Sequence, residues 1–197
     1  MAALWLGRLL RLDFTAFEEI RADPNSTPSA VIVVLLAGLF AGAGSWLWAV
    51  QSRDLVGLNR TDVFVRSLLV GSVMQTIIWF AWVYITYQVL LRGYGARTDF
   101  LGLLRTMGFA FVPVALSIFV VFAGLAVPIG MLAFGMALLL TNAAIQAGSD
   151  AEFKEAAVAN IAGFGVFLLG MGICSNILEV GTFGGIAPGI LFFSLDL

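Results

Sequence analysis

RTMGFAFVPVALSIFVVFAGLAVPIGMLAFGMALLLTNAAIQA, from Arg105 to Ala147, is the stretch that decides the fold. After Arg105 it contains no charged residue for 42 positions. One bilayer crossing needs about 20 apolar residues, so the stretch has room for two. It predicts a transmembrane hairpin whose reversal falls between Gly124 and Gly130, where Pro128 lacks a backbone donor and two glycines relax the chain.

The composition extends that reading to the whole chain. Mean hydropathy is +1.03, and 61% of the residues are hydrophobic against 11% charged, where a soluble domain carries about 25% charged residues. The class is an all-α polytopic integral membrane protein. Five spans of about 22 residues leave little of a 197-residue chain for any extramembrane domain with its own core. A net charge of -2 without a basic run gives nucleic acid nothing to bind.

Outward from the hairpin, the sequence predicts spans at 29–50, 63–91, 105–125, 128–147 and 156–178. Together these form a membrane domain over 29–178, preceded by an interfacial segment over 1–28 and followed by an apolar, glycine-rich tail over 179–197. The tail, broken by four glycines and Pro188, is too short and irregular to cross again, so it folds back at the surface or binds a neighbour. Within 1–28, Leu6, Leu10, Phe14 and Phe17 share one stripe at helical spacing, opposite Arg8, Arg11, Thr15 and Glu18. That pattern predicts an amphipathic helix lying on the membrane, broken near Asp13, with Thr15 and Glu18 at capping-box spacing. Arginines inside MAALWLGRLLRLDF and the lack of a small-residue cleavage site argue against a signal peptide.

Helix starts are expected at Thr27-Pro28, at Thr61, at Thr98 or Asp99, and at a second capping box formed by Ser149 and Glu152. Pro113 should kink the third span. Gly38 and Gly42 form a GxxxG in the first span, and Gly163 and Gly170 line the fifth. Such faces admit another helix closely, either of this chain or of another subunit. Gln75, Gln88, Asn142 and Asn160 are polar but not ionisable, and they predict hydrogen bonds between helices. Convergence of these amides with Asn176 on one cavity would instead suit a facilitator for a small neutral or lipid-like molecule.

By these boundaries no charged side chain enters an apolar core, which disfavours an ion-driven transporter; Glu179, just past the fifth span, is expected at the interface. The chain has no histidine and one cysteine, Cys174, so the usual haem and zinc ligand sets and an intramolecular disulfide are excluded. No GxSxG, P-loop or paired carboxylates appear. The expectation is a protein that is not an enzyme and that holds no cofactor or metal. Placing the N-terminus inside puts Arg8, Arg11, Arg21, Arg92, Arg97, Arg105 and Lys154 in the cytoplasm, against Arg53, Arg60 and Arg66 outside. Positive loops are retained inside, so the N-terminus is expected in the cytoplasm and the C-terminus outside.

The order of features from about Phe17 to Leu178 resembles the Yip domain family of five-span membrane proteins, in a compact prokaryotic form. The resemblance rests on the lead-in FEEIRADPNSTPSA, the apolar first span, and GFAFVP at Gly108 to Pro113, similar to the family's glycine-aromatic segment ending in proline. It implies a non-enzymatic protein that organises membrane and recruits partners, with the lipid bilayer, other membrane subunits or a second copy as its contacts. Rab-type GTPases are the partners of eukaryotic members. They are the least supported here, because the DLYGP signature is absent and Phe109 stands where tyrosine is usual. The alternative to this role is an accessory subunit of a larger respiratory or photosynthetic complex. Either role places the chain in a prokaryotic cytoplasmic membrane.

Overall fold

The computed structural model describes residues 1–51, 60–177, 186–187 and 190–191. Among them, five helices are long and apolar enough to cross a membrane: Ser26–Trp48, Thr61–Tyr94, Phe100–Val121, Ala126–Gly148 and Phe153–Cys174. The protein is an all-α integral membrane protein. Two short helices, α1 (Ala2–Leu10) and α2 (Ala16–Ala22), precede α3 (Ser26–Gln51).

The second span is composite. It begins with α4 (Arg60–Phe64) and a π-helical stretch, Val65–Val70, continues as α5 (Gly71–Gln88) and ends in a second π-helical stretch, Val89–Tyr94. Gly95 closes it in the left-handed region at φ 68°, a conformation without cost for glycine. The third span opens with α6 (Phe100–Ala110), where Asp99 accepts the Gly102 N–H at 2.8 Å as N-cap. Pro113 has no N–H to continue that helix, and the backbone tightens into a 3-10 helix over Val112–Val121. The last two spans are α7 (Ala126–Gly148) and α8 (Phe153–Ile177).

Four expectations need correction. The third span starts at Phe100, not Arg105, so the Arg105 guanidinium belongs to the second turn of a membrane helix. The hairpin reverses through a 3-10 turn at Ala123–Leu125, and Pro128 sits in the first turn of α7, where a missing N–H costs nothing. Thr15 precedes α2 but does not cap it with its side chain; its hydroxyl donates to Asp13 Oδ1 instead. The box before α8 is shifted by three residues. Glu155 Oε2 accepts the Glu152 N–H at 3.0 Å, while the Ser149 hydroxyl is turned back to the Ile145 carbonyl.

The chain divides into two units. The first comprises 1–34, 79–112 and 136–167, and the second 35–78, 113–135 and 168–197. The first unit has a core of Phe17, Ile20, Trp82, Leu103, Met107, Phe109, Phe111 and Phe167, all fully buried. Trp82 makes ring contacts there with Phe111 at 6.1 Å and Phe167 at 5.3 Å. In the second unit Trp48 and Ile129 pack on Val120 and Ala126, and Trp46 meets Phe64 edge-on at 5.3 Å. In the tail, Ile186–Ala187 pairs antiparallel with Ile190–Leu191. Arg53, Glu179 and most of the tail lie outside the described residues, as does the Asn176 side chain.

Candidate functional site

The charged residues of the first unit gather where its short helices meet the ends of the spans. Arg8 brackets α1 to α2, with Nε on Asp13 Oδ2 and Nη1 on Glu19 Oε1, each at 2.7 Å, and Nη2 on Thr15 Oγ1 at 2.8 Å. Trp5 Nε1 also donates to Glu19, at 3.2 Å. These bonds stabilise the charged forms. Arg8 and Trp5 hold the Glu19 carboxyl below its ordinary range, and Thr15 and Arg8 do the same for Asp13. The indole of Trp5 stands edge-on against Phe109 of α6 at 5.7 Å, and Leu9 is buried beside it.

The stripe expected to lie on the membrane divides here. Trp5 and Leu9, one turn apart, form the buried face of α1, while Leu10 and Phe14 are exposed and Phe17 alone of the predicted set is fully buried. The signal for the bracket lay in the sequence as arginine inside an apolar run, but pairing across a turn cannot be inferred from helical periodicity.

A second group ties α2 to the spans. Arg105 donates Nε to Thr27 Oγ1 at 2.8 Å and Nη1 to the Arg21 carbonyl at 2.9 Å, so Thr27 serves as acceptor for Arg105. Arg21 Nη1 reaches the Ala147 carbonyl at 3.1 Å. Thr98 Oγ1 donates to the Gly148 carbonyl at 3.3 Å, and the Arg97 N–H donates to Asp150 Oδ1 at 2.6 Å. Between these elements lies an open cleft of about 570 Å³ bordered by Glu18, Arg21, Ala22, Asp99, Gln146, Ala147 and Ser149. Sequence reasoning did not single out Arg21, because nothing in its spacing marks it.

The candidate amides behave differently from one another. Asn160 in α8 is buried within a complete network: Oδ1 accepts Trp82 Nε1–H at 3.1 Å, and Nδ2 donates to the Leu138 carbonyl at 2.9 Å and Thr141 Oγ1 at 3.0 Å. Thr86 adds a bond to the Ala159 carbonyl at 3.3 Å. Gln88 Oε1 and Asn142 Oδ1 are buried without a hydrogen-bond partner among the described residues. In the second unit both amide atoms of Gln75 are buried and unpartnered in the same sense, although the residue is 0% exposed. No hydrogen bond among the described residues joins Gln88 or Asn142 to Asn160.

The candidate glycines all face helices of this chain. A Cβ on Gly38 would lie 3.2 Å from Gln75 Nε2, and one on Gly42 2.7 Å from the Ser67 carbonyl. On Gly108 it would meet Ala30 Cβ at 2.7 Å, on Gly163 the Trp82 carbonyl at 2.7 Å, and on Gly170 Ile78 Cγ2 at 2.8 Å. Pro113 is buried at the α-to-3-10 transition. Among the described residues no group of three or more His, Cys, Asp or Glu could hold a metal ion.

The helical lead-in, the five spans and the GFAFVP segment against which α1 rests agree with a single family description. The Yip1 domain model matches residues 9–176. The chain belongs to the Yip1 domain family. No curated protein and no solved structure matches it. The Yip1 match takes in α2, all five spans and the three partners of Arg8 (Asp13, Thr15 and Glu19). Its GFAFVP segment has a structural task at each landmark: Gly108 admits Ala30, Phe109 receives Trp5, Phe111 joins the Trp82 cluster, and Pro113 ends the α-helix.

Proposed function

We propose that this Yip1-domain protein organises membrane without catalysing a reaction, with its α1–α2 pair lying as a wedge in one leaflet. Leu12 carries the reading. It ends α1 in the left-handed region at φ 61°, with its N–H on the Leu9 carbonyl and the Asp13 N–H on the Arg8 carbonyl, both at 3.0 Å. This is the helix-ending geometry that glycine normally supplies, and a branched residue there costs about 1–2 kcal/mol. Packing inside the protein does not explain the leucine, because Leu12 is 68% exposed.

Its neighbours point to what does. Met1, Leu4 and Leu10 are 87%, 73% and 75% exposed, and Phe14 is also exposed. Arg8 meanwhile is turned onto Asp13 and Glu19. An acyl boundary would recover about 1.5–3 kcal/mol for each leucine it buries, enough to offset the strain at Leu12. A rigid mount makes the insertion a wedge, and the Trp5–Phe109 contact with the Arg8 bracket supplies that mount.

The faces that favoured an accessory subunit, Gly38, Gly42, Gly163 and Gly170, are covered by this chain's own helices, so that reading loses its main support. Partner recruitment would then use the polar surface around α2, on the cytoplasmic side of a prokaryotic membrane.

The test is reconstitution at rising protein-to-lipid ratio, with vesicle shape imaged by electron microscopy. The wild type should draw large vesicles into narrow tubes or small vesicles. A Leu4→Ser, Leu10→Ser, Leu12→Gly variant, relieved of strain at residue 12, should leave them round. Equal remodelling by both proteins, or none by the wild type, would sink the wedge.

A further inference from the structure

We propose that the cleft beside α2 binds the phosphoethanolamine headgroup of a membrane lipid. The inference needs the chain to lie in a bilayer but does not depend on the wedge. Its first support is level. Asp99 immediately precedes the third span and Ser149 immediately follows the fourth, so the cleft they border sits at the height of lipid headgroups.

Its second support is charge. The Arg21 guanidinium is fixed at the cleft wall by one N–H on the Ala147 carbonyl, and among the described residues no carboxylate lies within ion-pair distance of it. A guanidinium carries five donors in a planar fork suited to phosphate oxygens, so donors remain after that one bond. Facing the same space are Glu18 and Asp99, the latter with Oδ1 committed to the Gly102 N–H. The end of α7 adds the negative pole of a helix dipole.

The combination selects a ligand class. A plain anion would meet Glu18 and Asp99 as well as Arg21, and a plain cation would meet Arg21. A group with phosphate at one end and an amine at the other satisfies both. The three N–H donors of a primary ammonium match two carboxylates, whereas the trimethylammonium of a choline headgroup offers none. The volume of about 570 Å³ admits such a headgroup while its acyl chains stay in the bilayer.

The experiment is native mass spectrometry of the full chain in detergent, titrated with ethanolamine, choline and glycerol phospholipids of identical acyl chains. One ethanolamine lipid should remain bound at least 5-fold more tightly than either of the others. Glu18→Gln should abolish most of that preference. Glu18 is exposed and makes no side-chain hydrogen bond among the described residues, so this variant leaves the packing of α2 undisturbed. Arg21→Lys should weaken binding of all three lipids, and Asp99→Asn, which keeps a helix cap, should lower ethanolamine selectivity. Equal binding of the three lipids, or a preference unchanged in Glu18→Gln, would overturn the proposal. If free O-phosphoethanolamine binds as tightly as the lipid, the ligand is a soluble one and the lipid assignment falls.

Discussion

Two fully buried amides, one in each unit, set the terms on which the two halves of this membrane protein are held. Asn160 uses its oxygen and its nitrogen on Trp82, Leu138 and Thr141, linking α8 to α5 and α7. Gln75 has neither atom bonded among the described residues. The difference lies in what surrounds each. Around Gln75 the hydroxyls are turned inward on their own helices: Ser67 donates to the Val63 carbonyl at 2.7 Å and Thr76 to the Ser72 carbonyl at 2.9 Å. In the first unit Thr86 instead reaches across to Ala159. The first unit thus adds directed polar bonds between helices to its close approaches at Gly108 and Gly163, whereas the buried amide of the second sits unbonded among close approaches at Gly38, Gly42 and Gly44.

The strongest way to break the contrast is to crowd the polar unit. A Cβ at Gly163 would fall 2.5 Å from Thr86 Oγ1 and 2.7 Å from the Trp82 carbonyl, and backbone cannot yield as a side chain can. Gly163→Ala should destabilise by about 3 kcal/mol, the upper part of the overpacking range. Gly165→Ala, two residues on with nothing within 4 Å, should instead stabilise by about 0.5–1 kcal/mol. Thermal unfolding in detergent distinguishes them, and equal midpoints would show that the close approach at Gly163 does not hold α5 to α8.

Removing the amide itself comes next. Asn160→Leu strands the buried Trp82 N–H, while the Thr141 hydroxyl keeps its bond to the Ala137 carbonyl, for a cost of about 2 kcal/mol. Adding Trp82→Phe should recover part of that loss, because the orphaned donor is then gone. Strict additivity of the two losses would mean that the Trp82–Asn160 bond contributes nothing.

These residues also show what the sequence discloses. Composition and uncharged length fixed the membrane class and all five spans, because hydropathy depends on residue type alone. The boundary at Arg105 moved because a guanidinium can enter a helix's second turn when Thr27 and the Arg21 carbonyl receive it. Asn160 and Gln75 look alike in sequence, each an amide in an apolar run. Which is bonded depends on what two other helices place nearby, and no local pattern encodes that. The Arg8 bracket was hidden for a related reason: its residues are 5 and 11 positions apart and meet through a turn rather than along a helix face.

A smaller effect of opposite sign sharpens the comparison from the second unit. Gln75→Met keeps the length of the side chain while removing two unpaired polar atoms, so it should raise stability, by about 1 kcal/mol. Gly38→Ala, whose Cβ would press at 3.2 Å on the movable end of Gln75, should cost less than Gly163→Ala, and less still in the Gln75→Met background. A lowered midpoint for Gln75→Met would show that the amide is bonded in the bilayer and that the two units are fastened alike.

Acid provides the mildest test, because neither amide titrates and the Arg8 bracket does. Asp13 and Glu19 have carboxyls held below their ordinary range by their hydrogen bonds, chiefly from Thr15 and Arg8 respectively. A carboxylate whose folded value is depressed binds protons less readily than in the unfolded chain. Its contribution is therefore complete above the ordinary carboxylate range and is lost as pH falls through the depressed folded values. All three groups lie at the surface, so the global midpoint should hardly move. What should change is local: amide protection in α1, taken against the intrinsic exchange rate at each pH, should fall as pH drops below the ordinary carboxylate range, while protection around Asn160 stays high. Asp13→Asn with Glu19→Gln should show that lowered α1 protection already at neutral pH. If α1 is equally protected in the double variant, the Trp5–Phe109 contact alone seats the helix and the bracket is incidental.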